Sequence, residues 1–99
     1  MRDVRSAVVT GANGMIGTAT VRLLAERGCT VLAVDCVPSL ARQDGVTCFV
    51  ADVTRPEQVA AIAAQAEQLF GTADALVHIA GGAGQRFLTR PVPCSGVVI

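Results

Sequence analysis

The chain has 99 residues, about one small domain, which leaves no room for a second. Apolar residues make up 52% and charged residues only 16%, which excludes a disordered segment and supplies the material of a buried core. Eight arginines, scattered at Arg2, Arg5, Arg22, Arg27, Arg42, Arg55, Arg86 and Arg90, balance eight acidic residues, so no basic face for nucleic acid or an anionic membrane is expected.

Met1-Arg2-Asp3-Val4-Arg5 leads directly into a predicted strand over Ser6 to Thr10, where Ala7-Val8-Val9 is the continuous apolar run of a strand covered on both faces. No apolar run approaches the roughly 18 residues of a membrane span, and a cytoplasmic location is expected. The strand enters Thr10-Gly11-Ala12-Asn13-Gly14-Met15-Ile16-Gly17, with three glycines at steps of three, and a helix is predicted from about Met15 to Arg27. Such a turn lets the backbone approach a bulky anion and points the first helix amides outward, which makes a phosphate seat. The spacing is not Gly-x-Gly-x-x-Gly, and an ordinary glycine-rich strand-to-helix turn is the alternative. Ile16, Ala19, Leu23 and Leu24 form the expected apolar stripe of the helix, and Gly28 supplies its left-handed stop.

A second strand is predicted over Thr30 to Val34, ending at Asp35. Asp35 falls 24 positions after Gly11, at the carboxyl end of that strand, where a carboxylate can accept hydrogen bonds from both hydroxyls of an adenosine ribose. It would also repel the 2′-phosphate of NADP, and Cys36 brings no offsetting positive charge, so NAD is favoured over NADP. A solvated aspartate that merely ends a strand is the bland alternative. Residues 37–45 leave room only for a short irregular helix around Leu40-Ala41-Arg42. The third strand is predicted over Val46 to Ala51, followed by Asp52-Val53. Thr54-Arg55-Pro56-Glu57 has a capping-box pattern with proline in the first turn. Val59, Ile62, Ala63, Ala66, Leu69 and Phe70 form the stripe of the next helix, which Gly71 closes. The fourth strand is predicted over Ala75 to Ala80, ending in Gly81-Gly82-Ala83-Gly84.

Alternating strands and helices with apolar strand interiors call for an α/β, doubly wound parallel sheet of about four strands in the order 3-2-1-4. Ligands bind such folds where the first and fourth strands diverge. Four cysteines, Cys29, Cys36, Cys48 and Cys94, lack a Cys-x-x-Cys spacing and read as buried free thiols. His78 sits at a period-two position of an apolar strand and reads as a packed or hydrogen-bonded core residue; a general base is the alternative.

Thr10-Gly11-x-x-Gly14-x-x-Gly17, Asp35, Asp52-Val53 and Ala80-Gly81, in this order on these elements, resemble the short-chain dehydrogenase/reductases from about Val4 to Gly84. The resemblance implies a truncated Rossmann-like fold in which 1–84 is an NAD(P)-binding half-domain and 85–99 a tail. It implies that the turn, with Thr10, Gly11, Asn13, Gly14, Met15, Ile16 and Gly17, holds the pyrophosphate, and that Asp35 holds the adenosine ribose. Asp52 and Val53 would contact the adenine, and Ala80 and Gly81 would lie along the nicotinamide-side ribose. The single-domain branch of that family usually has glycine where Met15 stands and two asparagines where His78-Ile79 stand. The glycine spacing and His78 look more like the extended branch, whereas Gln68 to Val77 looks like the single-domain branch.

In that family a tyrosine exchanges the substrate proton, a lysine lowers its pKa, and a serine helps hold the substrate. The chain contains no tyrosine and no lysine, and Ser95 is its only serine after the fourth strand. From Gln85 onward two prolines replace the expected helix and the sequence ends on Gly96-Val97-Val98-Ile99, which suggests a truncated reading frame with a shifted frame supplying the tail. The expectation is an NAD-dependent oxidoreductase by descent that can at most bind the dinucleotide. A non-catalytic NAD-binding module, or one that pairs with another chain, is the alternative.

Overall fold

The two strands that read as continuous apolar runs form the middle of the sheet. The computed structural model describes residues 4–39 and 42–79. Along them run β1 (Ser6–Thr10), α1 (Met15–Glu26), β2 (Thr30–Asp35), β3 (Val46–Val50), α2 (Pro56–Phe70) and β4 (Ala75–His78). The four strands make one sheet in the order β3-β2-β1-β4, every pairing parallel, as the alternation of strands and helices predicts. Thr10 stands opposite Val34 on one side and His78 on the other, so the ends of β1, β2 and β4 reach one level.

Period-two alternation divides the core between the two faces. Val9, Val31 and Ala33 pack with Val21 of α1, Cys29 and Ile79. Val8, Leu32 and Val34 pack on the other face with Ile62 and Ala66 of α2. The fully buried Leu32, Val9, Val31 and Val34 all lie on β1 or β2, because only those strands have neighbours on both edges.

α1 is rotated from its expected stripe, and α2 seats on only part of its own. α1 buries Gly17 and Val21 with Leu24 half-buried against the core, whereas Ile16 and Leu23 are exposed. At Gly17 the helix presses directly onto the backbone, because there is no side chain at that position to hold it away. α2 turns Ile62 and Ala66 inward, with Phe70 half-buried beside them. The exposed Val59 and Ala63 border, together with Ile62 and Ala66, an apolar groove of about 550 Å³ shared with Val8, Leu76 and His78.

The expected capping box at Thr54 and Glu57 is not formed. Arg55 is the N-cap of α2, without a side-chain cap. Thr54 belongs to the preceding turn, where its amide and hydroxyl both donate to Asp52 Oδ1 at 2.9 and 2.6 Å. Gln58, third in the helix, reaches back to accept the Asp52 amide at 2.6 Å. Among the cysteines Cys29 is a buried free thiol, but Cys48 is free and exposed on the edge strand, and Cys36 is disulfide-bonded. Leu40 and Ala41, the centre of the expected short helix, lie outside the described residues, as do Ala80, Gly81 and the tail.

Asp74 anchors β4 to the start of β1. Its Oδ2 accepts the amides of Arg5 at 2.9 Å and Ser6 at 3.2 Å, and its own amide donates to Ser6 O at 3.0 Å. Hydrogen bonds to a charged acceptor each contribute about 1.5–3 kcal/mol, less where water competes. Asp74→Ala is expected to lower stability by about 1–3 kcal/mol with the urea dependence unchanged in slope, measured by circular dichroism.

Candidate functional site

The glycine turn is built of backbone packed against backbone. Gly11 has φ +70, and a Cβ placed there would stand 2.8 Å from Ile79 O. A Cβ on Gly17 would stand 2.0 Å from Gly11 O and 2.8 Å from Ala12 Cα, so the first turn of α1 lies directly on the peptide that leaves β1. Gly14 differs from both: its nearest neighbour to such a Cβ is Gly11 O at 3.6 Å, an ordinary contact, and its side opens outward.

Gly14 is the N-cap of α1, with no side-chain cap and no acidic residue in the first turn. The Gly14 amide donates to Gly11 O at 3.3 Å and the Thr18 amide to Gly14 O at 2.8 Å. The amides of Met15, Ile16 and Gly17 have no acceptor among the described residues. Three N–H groups at a helix start, with the positive end of the helix dipole behind them, make an anion seat. Met15, where the resembled family usually carries glycine, is 90% exposed, so its side chain fits without being buried.

Asp35, ending β2, reaches that turn. Its Oδ2 accepts the Asn13 amide at 2.9 Å and its Oδ1 the Val37 amide at 3.3 Å. Asn13 Nδ2 donates in turn to Val37 O at 2.8 Å, and the Ala12 amide donates to Val34 O at 3.0 Å. The acid and the glycine turn, paired in the sequence by spacing alone, are thus in direct contact. Each carboxylate oxygen retains capacity for a further donor.

Asp52 and Val53 lie half-buried at the end of β3. The Asp52 carboxylate is drawn into its own loop by Thr54 and by Arg55, whose Nε lies 3.7 Å from Oδ2. Thr10 is buried beneath the turn, its hydroxyl hydrogen-bonded to His78 Nδ1 across the β1–β4 pairing. His78 is hydrogen-bonded as its period-two position predicts, but it is half-buried at the border of the apolar groove and not enclosed in the core. Sequence reasoning missed Val37, which both holds and is held. The available signal was an aspartate two residues before it, since such carboxylates commonly accept the amide two positions on. It missed Thr18 as well, whose hydroxyl donates to Ala12 O at 3.2 Å and closes the turn from the helix side. No group of histidine, cysteine and acidic residues that could hold a metal occurs among the described residues. None of their helices is long and apolar enough to cross a membrane.

Comparison with known proteins identifies the family and the fold. The family model for short chain dehydrogenases matches residues 5–92. A 3-beta-hydroxysteroid dehydrogenase of Mycolicibacterium neoaurum is 39% identical over 82% of this chain and 22% of its own length. A cis-4-hydroxycyclohexanecarboxylate dehydrogenase of Sinomonas cyclohexanicum is 44% identical over 78% of this chain and 34% of its own. Among solved structures, a short chain dehydrogenase from Leptospira borgpetersenii with bound NAD+ superposes with a TM-score of 0.70 at 21% identity, over 80% of this chain and 32% of that one, which shows a common fold. The chain therefore spans about a fifth to a third of the length of these proteins.

Gly14 and Gly17 should respond differently to a single methyl group. Gly17→Ala is expected to destabilise the fold by about 3 kcal/mol or more, because both clashing partners are backbone. Gly14→Ala, with open space and a φ of −72, is expected to cost less than about 1 kcal/mol. Urea denaturation of the two variants measures the difference.

Proposed function

The chain belongs to the short-chain dehydrogenase family, and from that premise we propose that it binds NAD as the cofactor half of an oxidoreductase. The observation that carries the proposal is the contact between Asp35 and the Asn13 amide, which joins an anion seat to a ribose-binding carboxylate. The residues fit the dinucleotide. Gly14 leaves open the space that a side chain would fill, and three helix amides beside it await an acceptor.

In this reading the amides of Met15, Ile16 and Gly17 hold the pyrophosphate, and Asp35 receives the hydroxyls of the adenosine ribose. Asp52 and Val53 flank the adenine, and Ala80 and Gly81 flank the nicotinamide-side ribose. The nicotinamide, when bound, supplies or accepts a hydride. NAD is preferred to NADP because the Asp35 carboxylate would face the 2′-phosphate at close range. We assign 1–84 to this binding half and 85–99 to a tail that takes no part in it.

Hydride transfer at a carbonyl carbon also needs a group that exchanges a proton with the substrate oxygen. The 99 residues contain neither tyrosine nor lysine, and the His78 ring is tied to Thr10 in the role of a sheet residue. In this reading these 99 residues bind the dinucleotide and do not by themselves supply the proton-exchanging group.

Calorimetric titration of the chain is expected to show saturable NAD binding and weaker NADP binding. Asp35→Ala is expected to weaken NAD by about tenfold, the effect of losing one charge-assisted hydrogen bond of about 1.5 kcal/mol, and to leave NADP unchanged or tighter. Equal weakening of both would show that Asp35 acts on the fold and not on the ribose.

A further inference from the structure

Three hydrogen bonds join the glycine turn, the end of β2 and the loop after it into a closed ring. The Asn13 and Val37 amides hold Asp35 by its two different oxygens, at 2.9 and 3.3 Å. The third bond, from Asn13 Nδ2 to Val37 O at 2.8 Å, does not touch the carboxylate. It ties the two donors to each other.

We propose that Asn13 is a positioning residue for nucleotide selectivity: its side chain pins the loop after β2 to the glycine turn, and so fixes the Asp35 carboxylate in the orientation that receives ribose hydroxyls and excludes a 2′-phosphate. The proposal rests on the dinucleotide reading above. Rotation of the carboxylate about its Cβ–Cγ bond would break both amide contacts at once, so the ring holds it in one plane. Each oxygen keeps a lone pair for a hydroxyl donor. A phosphate ester brings about −1.5 to −2 charges to the same place. The site can admit it only if the carboxylate turns away or the loop withdraws. Turning is opposed by the Asn13 and Val37 amides, and withdrawal is opposed by the Asn13 side chain. Pro38 follows Val37 and restricts it to extended backbone, so that pinning the Val37 carbonyl also places its amide. The backbone amide of Asn13 survives any substitution there; the side-chain tether does not.

The test is calorimetric titration of NAD and of NADP into the wild-type chain, Asn13→Ala, Asp35→Ala and the double variant. Loss of a neutral, solvent-accessible hydrogen bond corresponds to about a three- to tenfold change. Asn13→Ala is therefore expected to lower the NAD-to-NADP affinity ratio by about that factor, and to have no effect on the ratio once Asp35 is alanine. A ratio unchanged by Asn13→Ala overturns the proposal. So does an equal drop with and without Asp35, because a residue acting through the carboxylate must couple to it. Asn13→Ser, which keeps a turn-forming residue but shortens the donor, is the second variant. It must show the same drop, and a wild-type ratio in a folded Asn13→Ser chain is equally fatal. Wild-type chain that binds neither nucleotide removes the dinucleotide reading and this proposal with it; wild-type NAD binding with unaltered selectivity in the variants removes the proposal alone.

Discussion

Where β1 ends, two peptide planes approach so closely that no side chain can stand between them, and the rest of the molecule is arranged around that contact. Gly17 lies against Gly11 O, and Gly11 lies against Ile79 O, each at a separation that a Cβ would violate. Together they set the height of α1 above the sheet and the direction of its first amides. The apolar faces of β1 and β2 supply the adhesion, but apolar burial is non-directional and cannot by itself aim three N–H groups at one point. The glycine contacts do that, with Thr18 and Ala12 closing the turn from above and below.

Carboxylates do the corresponding work where strands end. Asp35 and Asp52 each accept the amide two residues on, Val37 and Thr54 respectively, which bends the chain away from the sheet at the level of the site. Asp74 performs the opposite task at the far edge, where it collects the amides of Arg5 and Ser6 and fixes where β4 begins beside β1. The three acids have the same chemistry but different reach. Asp52 is turned back into its own loop, whereas Asp35 spans to another element. That difference makes Asp35 the acid through which a ligand and the turn can sense each other.

The sheet was legible because both central strands are covered on both faces, and such strands read as uninterrupted apolar runs. The order 3-2-1-4 followed from alternation together with right-handed crossovers. The helix faces were less legible, for one physical reason. A stripe drawn through Ile16, Ala19, Leu23 and Leu24 weighs hydrophobicity, and glycine carries none, yet Gly17 is the residue by which α1 is seated. In α2 the same weighting could not separate Ile62 and Ala66, which are buried against the sheet, from Val59 and Ala63, which stay exposed at the groove. The cap of α2 was displaced by one residue because Asp52 engages Thr54 first, a competition between two local motifs that pattern matching treats separately. In the site, Gly11, Gly17 and Asp35 were found from spacing, but Val37 was not. A residue that acts through its own N–H and C=O leaves almost no trace in residue type.

The same fact bears on the departures from the family pattern in and around the turn. An anion held by side-chain cations would depend on particular lysines or arginines, and a change of residue would abolish it. Here the donors are main-chain amides and the field behind them is that of a 12-residue helix, neither of which depends on what the side chain at 15 is. Met15 can therefore replace glycine, provided its side chain points to solvent, as it does. His78 can stand at the end of β4 in place of asparagine, provided it offers Thr10 a polar partner, as it also does. The positions held most tightly are Gly11 and Gly17, where a Cβ would meet backbone, and Asp35, whose two oxygens bind different segments. Identity in this site is carried by the absence of atoms at Gly11 and Gly17 and by the reach of Asp35. Of the side chains between them, that of Asn13 is tied to Val37 O, whereas Met15 and Ile16 project to solvent and are under no such constraint.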